Sequence, residues 1–216
     1  MLKHIVSIHK KDFWLFVRGW LRSPFKVGAV LPSSGALARA MAAQVDANCD
    51  EHIVELGAGT GSVTRALLDR GVDPSRLWVV ERDPRFCQRI RDRFPDIHLL
   101  NLDASEIAGA LRERGVDRVA YVVSSLPLLS LDRQTGESIL RNSFEILGDD
   151  GAFIQYTYGA GSPVRKHMLN ELEISGCTAD RIWLNVPPAT VWRYSPLLRQ
   201  GDCQPSPTLY RALSER

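Results

Sequence analysis

Short apolar runs alternate with amphipathic segments along most of the chain. The apolar runs predict strands at residues 53–56, 77–81, 97–102, 119–123 and 152–158. The segments between them predict helices at residues 62–69, 84–94, 105–114, 132–147 and 164–175. Two last runs, at 182–185 and 190–194, flank a Pro-Pro pair and predict an antiparallel hairpin. This order predicts an α/β fold, with a seven-stranded, mostly parallel sheet and helices on both faces.

The first 45 residues have a different pattern from the rest. Residues 5–21 predict an amphipathic helix, since Phe13, Phe16, Val17 and Trp20 recur at helical spacing. Residues 1–45 carry seven basic residues and one acidic residue, although the whole chain has a net charge of only +2. Aromatic residues with a basic margin favour a helix that lies in an anionic membrane surface. The alternatives are a helix packed on its own domain and one that binds RNA phosphates.

The length of 216 residues suits one sizeable core. We predict a membrane-binding helix and a lid segment at residues 1–34, a main domain at 35–199 and a tail at 200–216. A helix over residues 35–44 would be capped by Ser33 or Ser34. No apolar run reaches the roughly 18 residues of a spanning helix or forms a signal-peptide core. We therefore expect a cytoplasmic protein at the inner face of the membrane. The histidines are scattered and no two cysteines have Cys-x-x-Cys spacing, so the sequence predicts no metal site.

Residues 53–61, with the sequence IVELGAGTG, are the most informative part of the chain. A buried strand ends in three glycines, at 57, 59 and 61, and a helix follows directly. Glycine lets a backbone turn tightly and approach a ligand closely. The unpaired N–H groups that begin the helix favour an anionic or polar ligand above the turn.

Acidic residues accompany the first three predicted strands. Glu55 lies within the first strand, Glu81 ends the second and Asp103 follows the third. A carboxylate at the position of Glu81 can accept both ribose hydroxyls of a nucleoside. With the Gly-x-Gly-x-Gly motif, this series resembles the class I S-adenosylmethionine-dependent methyltransferases over about residues 53–195. The alternative is an unrelated doubly wound fold, such as an NAD-binding one.

The resemblance implies a Rossmann-like fold, S-adenosyl-L-methionine as cofactor and S-adenosyl-L-homocysteine as product. It implies a cofactor site made of the glycine loop, the acidic strand ends and the segment before residue 35, which would close over the cofactor. The residues in this predicted site are Val30, Ser33, Ser34, Glu55, Gly57, Ala58, Gly59, Gly61, Glu81, Arg82, Asp103, Ala104 and Ser124.

The fourth strand leads into Ser-Ser-Leu-Pro-Leu at residues 124–128. Amine-directed methyltransferases carry a similar motif there, with Asn, Asp or Ser before an apolar residue and proline. Leu128 replaces the aromatic residue that often follows, which argues against stacking on a nucleobase. Together with segments 27–34, 54–61 and 186–194, the motif resembles the bacterial phospholipid N-methyltransferases. An ordinary strand-end turn is the alternative.

This narrower resemblance implies stepwise methylation of phosphatidylethanolamine to the monomethyl, dimethyl and phosphatidylcholine lipids. We expect Ser125 and the backbone carbonyl of Ser124 to hold the amine. Tyr156 and Tyr158 would line the pocket and attract the methylated ammonium through their rings. Packing in the core is the alternative for both tyrosines.

The terminal hairpin would complete the substrate site. Trp192 and Arg193 are the predicted lipid-binding residues, since the planar guanidinium of arginine suits a phosphate. A surface ion pair is the alternative for Arg193. We expect a monomer that binds no nucleic acid, because the basic residues cluster in one segment and the rest of the chain is net acidic.

Other functions remain as alternatives. The ribosomal RNA adenine N6-dimethyltransferases share much of the layout, but their Asn-Leu-Pro-aromatic sequence is absent here. A small-molecule amine N-methyltransferase and a non-catalytic cofactor-binding protein are the further candidates.

Overall fold

The computed structural model describes residues 33–158, 161–183 and 188–197, without the side chains of Ser33 and Ser34. The predicted N-terminal helix, Val30 and the predicted tail from residue 200 lie outside the described residues. The described helices are α1 (Ser33–Ala42), α2 (Ser62–Asp69), α3 (Pro84–Arg93), α4 (Ile107–Arg112), α5 (Arg133–Ile146) and α6 (Lys166–Glu171). None of these helices has the length and apolarity to cross a membrane.

Seven strands form one sheet in the order β3-β2-β1-β4-β5-β7-β6. The strands are β1 (His52–Leu56), β2 (Leu77–Val80), β3 (His98–Leu100), β4 (Val119–Ser124), β5 (Leu147–Thr157), β6 (Ile174–Ile182) and β7 (Ala189–Pro196). Strands β1 to β5 are parallel, and β7 runs antiparallel to both of its neighbours. The predicted seven-stranded, mostly parallel sheet with helices is therefore confirmed.

The chain builds the sheet outward from β1 in both directions. It runs from β1 through β2 to β3, then returns to place β4 on the other side of β1. Such a reversal opens a crevice beyond the carboxyl ends of the two central strands, where ligands of this fold class bind. The glycine loop directly follows β1, so the fold places it at this crevice.

Apolar side chains are buried on both faces of the sheet. On one face, Met41 of α1 and Leu67 of α2 pack with Ile154 of β5. On the other, Ile107 of α4 and Ile146 of α5 pack with Phe153. Because both faces are covered, the central strands are almost continuously apolar in sequence.

Three predicted elements are wrong. The strand predicted at residues 182–185 shares only Ile182 with β6. The helix predicted over residues 164–175 is the short helix α6, and Glu173 follows it with a left-handed φ of 50°. The next nine residues form β6, which pairs with β7 from Ile174 opposite Pro196 to Ile182 opposite Ala189. Pairing along a sheet edge outweighs the weak helical pattern here. The turn predicted at residues 148–151 is a bulge within β5.

Candidate active site

The glycine loop connects the carboxyl ends of three strands. The Gly57 N–H donates to the carbonyl of Val80 at 2.9 Å, and the Ser125 N–H donates to the carbonyl of Leu56 at 2.9 Å. Gly57 has a φ of 75°, and a Cβ there would lie 2.5 Å from Leu126 Cδ2. Only glycine fits this position, since it tolerates the positive φ and leaves room for the leucine.

The rest of the loop is open at one point. Gly59 has a φ of 53°, and an added Cβ would meet no heavy atom within 4 Å. The backbone is therefore accessible here to an approaching ligand. Ala58 is buried, and its carbonyl accepts from the N–H of Gly61 at 2.9 Å, which closes the turn into α2.

The carboxylate of Glu81 is held in a fixed orientation beside this loop. Its Oε2 accepts from the Gly59 N–H and its Oε1 from the Asp83 N–H, both at 2.8 Å. A carboxylate has about four acceptor sites, so two remain for a ligand. Asn101 donates at 2.9 Å to the carbonyls of Glu81 and Arg82, and so fixes the chain after β2. The arrangement fits two adjacent hydroxyls of a ribose.

Asp103 caps the 3-10 turn Ala104–Glu106. Its Oδ1 accepts from the Ser105 N–H at 3.0 Å and from the Ser105 hydroxyl at 2.8 Å. The Ser105 N–H lowers the pKa of the Asp103 carboxyl, with help from the Arg82 guanidinium 3.3 Å from Oδ2. The helix predicted from residue 105 begins instead as this 3-10 turn, and α4 follows from Ile107. Ala104 is buried.

Glu55 is entirely buried in the sheet. The Thr64 hydroxyl of α2 donates to its Oε2 at 2.6 Å, whereas its Oε1 has no partner among the described residues. Burial raises the pKa of Glu55 to about 7, and the charge of Glu81 adds to the effect. Glu55 is thus a neutral or part-ionised acid within β1, the strand that leads into the glycine loop.

The serine motif lies against the glycine loop. Ser124 is buried, and its Oγ accepts from the Leu126 N–H at 3.4 Å. Ser125 is half-buried, and its hydroxyl makes no hydrogen bond within the described part of the chain. The Leu126 side chain fills the space beside Gly57. The structure therefore brings the predicted cofactor loop and the predicted amine-binding motif together.

The two predicted tyrosines stand side by side at the end of β5. The rings of Tyr156 and Tyr158 meet edge to face, with centroids 5.3 Å apart. Both pack against the core on the α1 and α2 face of the sheet. Burial raises the pKa of the Tyr156 phenol, so the ring stays uncharged.

Trp192 and Arg193 point to opposite faces of the sheet. The rings of Trp192 and Tyr194 stack with centroids 6.2 Å apart, and the buried Nε1 of Trp192 has no partner among the described residues. Arg193 donates to the carbonyl of Gln44 at 3.0 Å and lies 5.7 Å from the ring centre of Tyr121. Tyr121 pairs near the amino end of β1. The structure thus does not bring Arg193 together with Ser125.

Sequence reasoning missed three residues that shape the site. Asp83 precedes Pro84 and caps α3, a pattern typical of helix starts that the sequence does show. Asn101 carries no such signal. Gln155 is the one polar residue among residues 152–156 of β5, an interruption of the apolar run that could have marked it. Within residues 33–158, 161–183 and 188–197, no group of three His, Cys, Asp or Glu is placed to hold a metal ion.

Sequence comparison identifies related enzymes. The ornithine lipid N-methyltransferase of Singulisphaera acidiphila is 31% identical over 150 residues, which cover 68% of this chain and 78% of that protein. The ribosomal RNA small subunit methyltransferase A of Chlorobium phaeobacteroides is 29% identical over 111 residues, which cover 49% of this chain and 40% of that protein. No protein-family model matches the chain.

Solved structures share the fold at low identity. A TehB-like S-adenosylmethionine-dependent methyltransferase from Corynebacterium glutamicum has a TM-score of 0.56 and 17% identity, over 84% of this chain and 96% of that one. The glycopeptide N-methyltransferase MtfA, solved with S-adenosylmethionine, has a TM-score of 0.57 and 14% identity, over 77% of this chain and 96% of that one. The chain belongs to the class I S-adenosylmethionine-dependent methyltransferases, in the family of the ornithine lipid N-methyltransferase.

Proposed function

We propose that the protein methylates the primary amine of a membrane lipid, with S-adenosyl-L-methionine as methyl donor. The observation that carries the proposal is the contact between Leu126 and Gly57, which sets the amine motif directly against the cofactor loop. The similarity to an ornithine lipid N-methyltransferase supports a lipid amine as acceptor.

The glycine loop and the acids beside it are the groups that would hold the cofactor. Glu81 would accept the ribose hydroxyls through its two remaining acceptor sites. Gly59 leaves open space for close approach of the backbone. Arg82, Asp103 and Ala104, which follow the neighbouring strands β2 and β3, would line the cofactor on the other side of Glu81. When bound, the cofactor supplies an electrophilic methyl group on sulfur.

The amine acceptor has to be neutral to attack, since its lone pair would form the new carbon–nitrogen bond while the methyl–sulfur bond breaks, which leaves a methylated ammonium and S-adenosyl-L-homocysteine. An alkyl ammonium has a pKa of about 10.4 in water, and desolvation lowers it. The Ser125 hydroxyl and the Ser124 carbonyl would accept amine hydrogens and orient the lone pair. The half-buried tyrosines Tyr156 and Tyr158 offer a ring surface for the methylated product. Positioning then provides most of the catalysis, because the displacement is in line.

A lipid fits this site better than an RNA base. Leu128 occupies the position that is aromatic in the motif of the RNA adenine dimethyltransferases. It is only 8% exposed and packs in the core, so it offers no face for a base to stack on. The ribosomal RNA methyltransferases also match less than half of this chain.

An exposed tryptophan supports the membrane part of the proposal. Trp183 follows β6, which is parallel to β5, so Trp183 lies at the carboxyl edge of the sheet. It is 70% exposed, and tryptophan prefers the interface between water and lipid. Trp183 would therefore bring the edge of the sheet that holds the crevice to a membrane surface. The basic, aromatic segment at residues 5–21 is a second candidate for binding an anionic membrane at the cytoplasmic side.

Two headgroups are candidates. The resemblance to phospholipid N-methyltransferases favours phosphatidylethanolamine, with stepwise conversion to phosphatidylcholine. The similarity to the Singulisphaera enzyme favours an ornithine lipid. Expression in a bacterial host that makes phosphatidylethanolamine but no phosphatidylcholine separates them, with lipid mass spectrometry as the measurement. Mass gains of one, two and three methyl groups support phosphatidylethanolamine. If phosphatidylethanolamine stays unmethylated and methylated lipid appears only when ornithine lipid is supplied, the second headgroup is supported.

A further inference from the structure

Gln155 is a buried amide at the carboxyl end of β5, where it is 1% exposed. Its Nε2 donates to the carbonyls of Leu126 and Tyr156, each at 2.9 Å. Because both partners are carbonyl oxygens, the nitrogen must be the end that faces them. One strand thus reaches across to the loop that follows the neighbouring strand β4.

The contact fixes Leu126 from a third side. The Leu126 N–H donates to the Ser124 Oγ at 3.4 Å, and its side chain packs beside Gly57. The Leu126 carbonyl accepts from Gln155 and also from the Leu128 N–H at 2.9 Å. A carbonyl has two lone pairs, so none is left for a substrate amine.

The neighbouring residue Ser125 gains a defined place from these contacts. Its N–H is bound to the carbonyl of Leu56, and the residue after it is held by Gln155. Since the Leu126 carbonyl is saturated, the Ser125 hydroxyl, which has no hydrogen-bond partner among the described residues, remains available to a substrate amine beside it. Fixing both flanks of Ser125 limits the directions from which an amine can be bound.

The oxygen end of the Gln155 amide shows that this side chain does not mainly serve to stabilise the fold. Gln155 Oε1 is buried and has no partner among the described residues. An unpaired buried acceptor destabilises the folded state. The side chain therefore carries a cost that an apolar residue of the same size would not have.

We propose that Gln155 is a positioning residue for methyl transfer, which locks the turn Ser125–Leu128 against the glycine loop. The inference rests on the proposed function, in which Ser125 holds the substrate amine. Gln155 acts through Leu126 and does not touch the substrate. Its loss should therefore alter turnover more than cofactor binding.

The test compares Gln155→Met with wild type and with a matched control. The methionine keeps the length of the side chain but removes the donor. Asn142→Leu is the control, because Asn142 donates from a part-buried amide to the Ser138 carbonyl within α5 and has no hydrogen bond to either loop among the described residues. Turnover is measured on vesicles that contain phosphatidylethanolamine and ornithine lipid. Calorimetry gives the dissociation constant for S-adenosylmethionine.

We expect kcat of Gln155→Met to fall by about 10- to 100-fold, as for a misplaced catalytic group, with cofactor affinity within about threefold. Gln155→Asn, which keeps the amide but shortens it, should lose activity in the same way. Asn142→Leu should retain wild-type kcat. A wild-type kcat in Gln155→Met, or a loss of cofactor affinity as large as the loss of kcat, would overturn the inference.

Hydrogen exchange tests the lock without any substrate. Backbone amides of residues 125–131 should exchange faster in Gln155→Met than in wild type. In Asn142→Leu they should exchange at the wild-type rate. Equal exchange in all three proteins would overturn the inference. If wild type methylates neither lipid, the proposed function fails, and the exchange data alone decide whether Gln155 holds the turn.

Discussion

Glu55→Gln should make the protein more stable at neutral and alkaline pH. The carboxyl is entirely buried, and its pKa rises from an ordinary 4.5 to about 7 because burial disfavours its charge. Below about pH 4.5 the group is protonated in both the folded and the unfolded chain. As the pH rises toward 7, the unfolded chain ionises first, so the folded state progressively loses stability.

The magnitude follows from the two pKa values. Moving a carboxyl pKa from 4.5 to about 7 corresponds to about 3 kcal/mol in the free energy of unfolding once the pH exceeds 7. Glutamine has no charge to lose, and its Oε1 can still accept from the Thr64 hydroxyl. Other titrating groups are common to both proteins and cancel in the difference.

The assay is urea unfolding of both proteins at pH 5, 6, 7 and 8, without cofactor. We expect the two free energies to differ by about 1 kcal/mol at pH 5 and by about 3 kcal/mol at pH 8, in favour of Glu55→Gln. With a urea slope of about 3 kcal/mol per molar, the midpoints then differ by about 1 M. Thr64→Val removes a hydrogen bond that lowers the pKa of Glu55. The variant should therefore continue to lose stability up to a higher pH than wild type. A constant difference at every pH would refute the reasoning.

Three other predictions concern the site and the membrane. Glu81→Ala should weaken S-adenosylmethionine binding by about 100-fold or more, since two charge-assisted hydrogen bonds are lost, and should leave the fold intact; an unchanged calorimetric titration would contradict the cofactor assignment. Ser125→Ala should lower kcat by about 10- to 100-fold at unchanged cofactor affinity, and a wild-type kcat would exclude the amine role. Trp183→Ala, like deletion of residues 1–22, should weaken sedimentation with anionic vesicles several-fold. Leu197→Ala is the control, because this exposed residue follows β7 at the opposite edge of the sheet from Trp183. An equal loss of vesicle binding in both variants would refute the role of Trp183 at the membrane.

Much of the fold was predictable because its signals are local. Glycines at 57, 59 and 61 mark the turn after β1, and α2 occupies the predicted residues 62–69. Buried parallel strands have continuous apolar runs, which makes β1, β2 and β4 visible in the sequence. These are the same elements that carry the predicted cofactor site.

The failures come from contacts between distant residues. Strand β6 is stabilised by pairing with β7, a partner the helical pattern of residues 164–175 could not reveal. The contacts of Arg193 with Gln44 and Tyr121 join segments far apart in the chain. The same holds for Gln155, whose contact with Leu126 depends on the pairing of β4 with β5. Local patterns indicate elements, whereas partners across the sheet appear only in the fold.

Transfer of a labelled methyl group from S-adenosylmethionine tests the central claim most directly. The purified protein would be incubated with anionic vesicles that contain phosphatidylethanolamine or ornithine lipid, and in parallel with total RNA. We predict label in the amino lipid, as methylated products that separate by the number of methyl groups, and none in the Glu81→Ala protein. Label in RNA alone, with unlabelled lipids, would contradict the account.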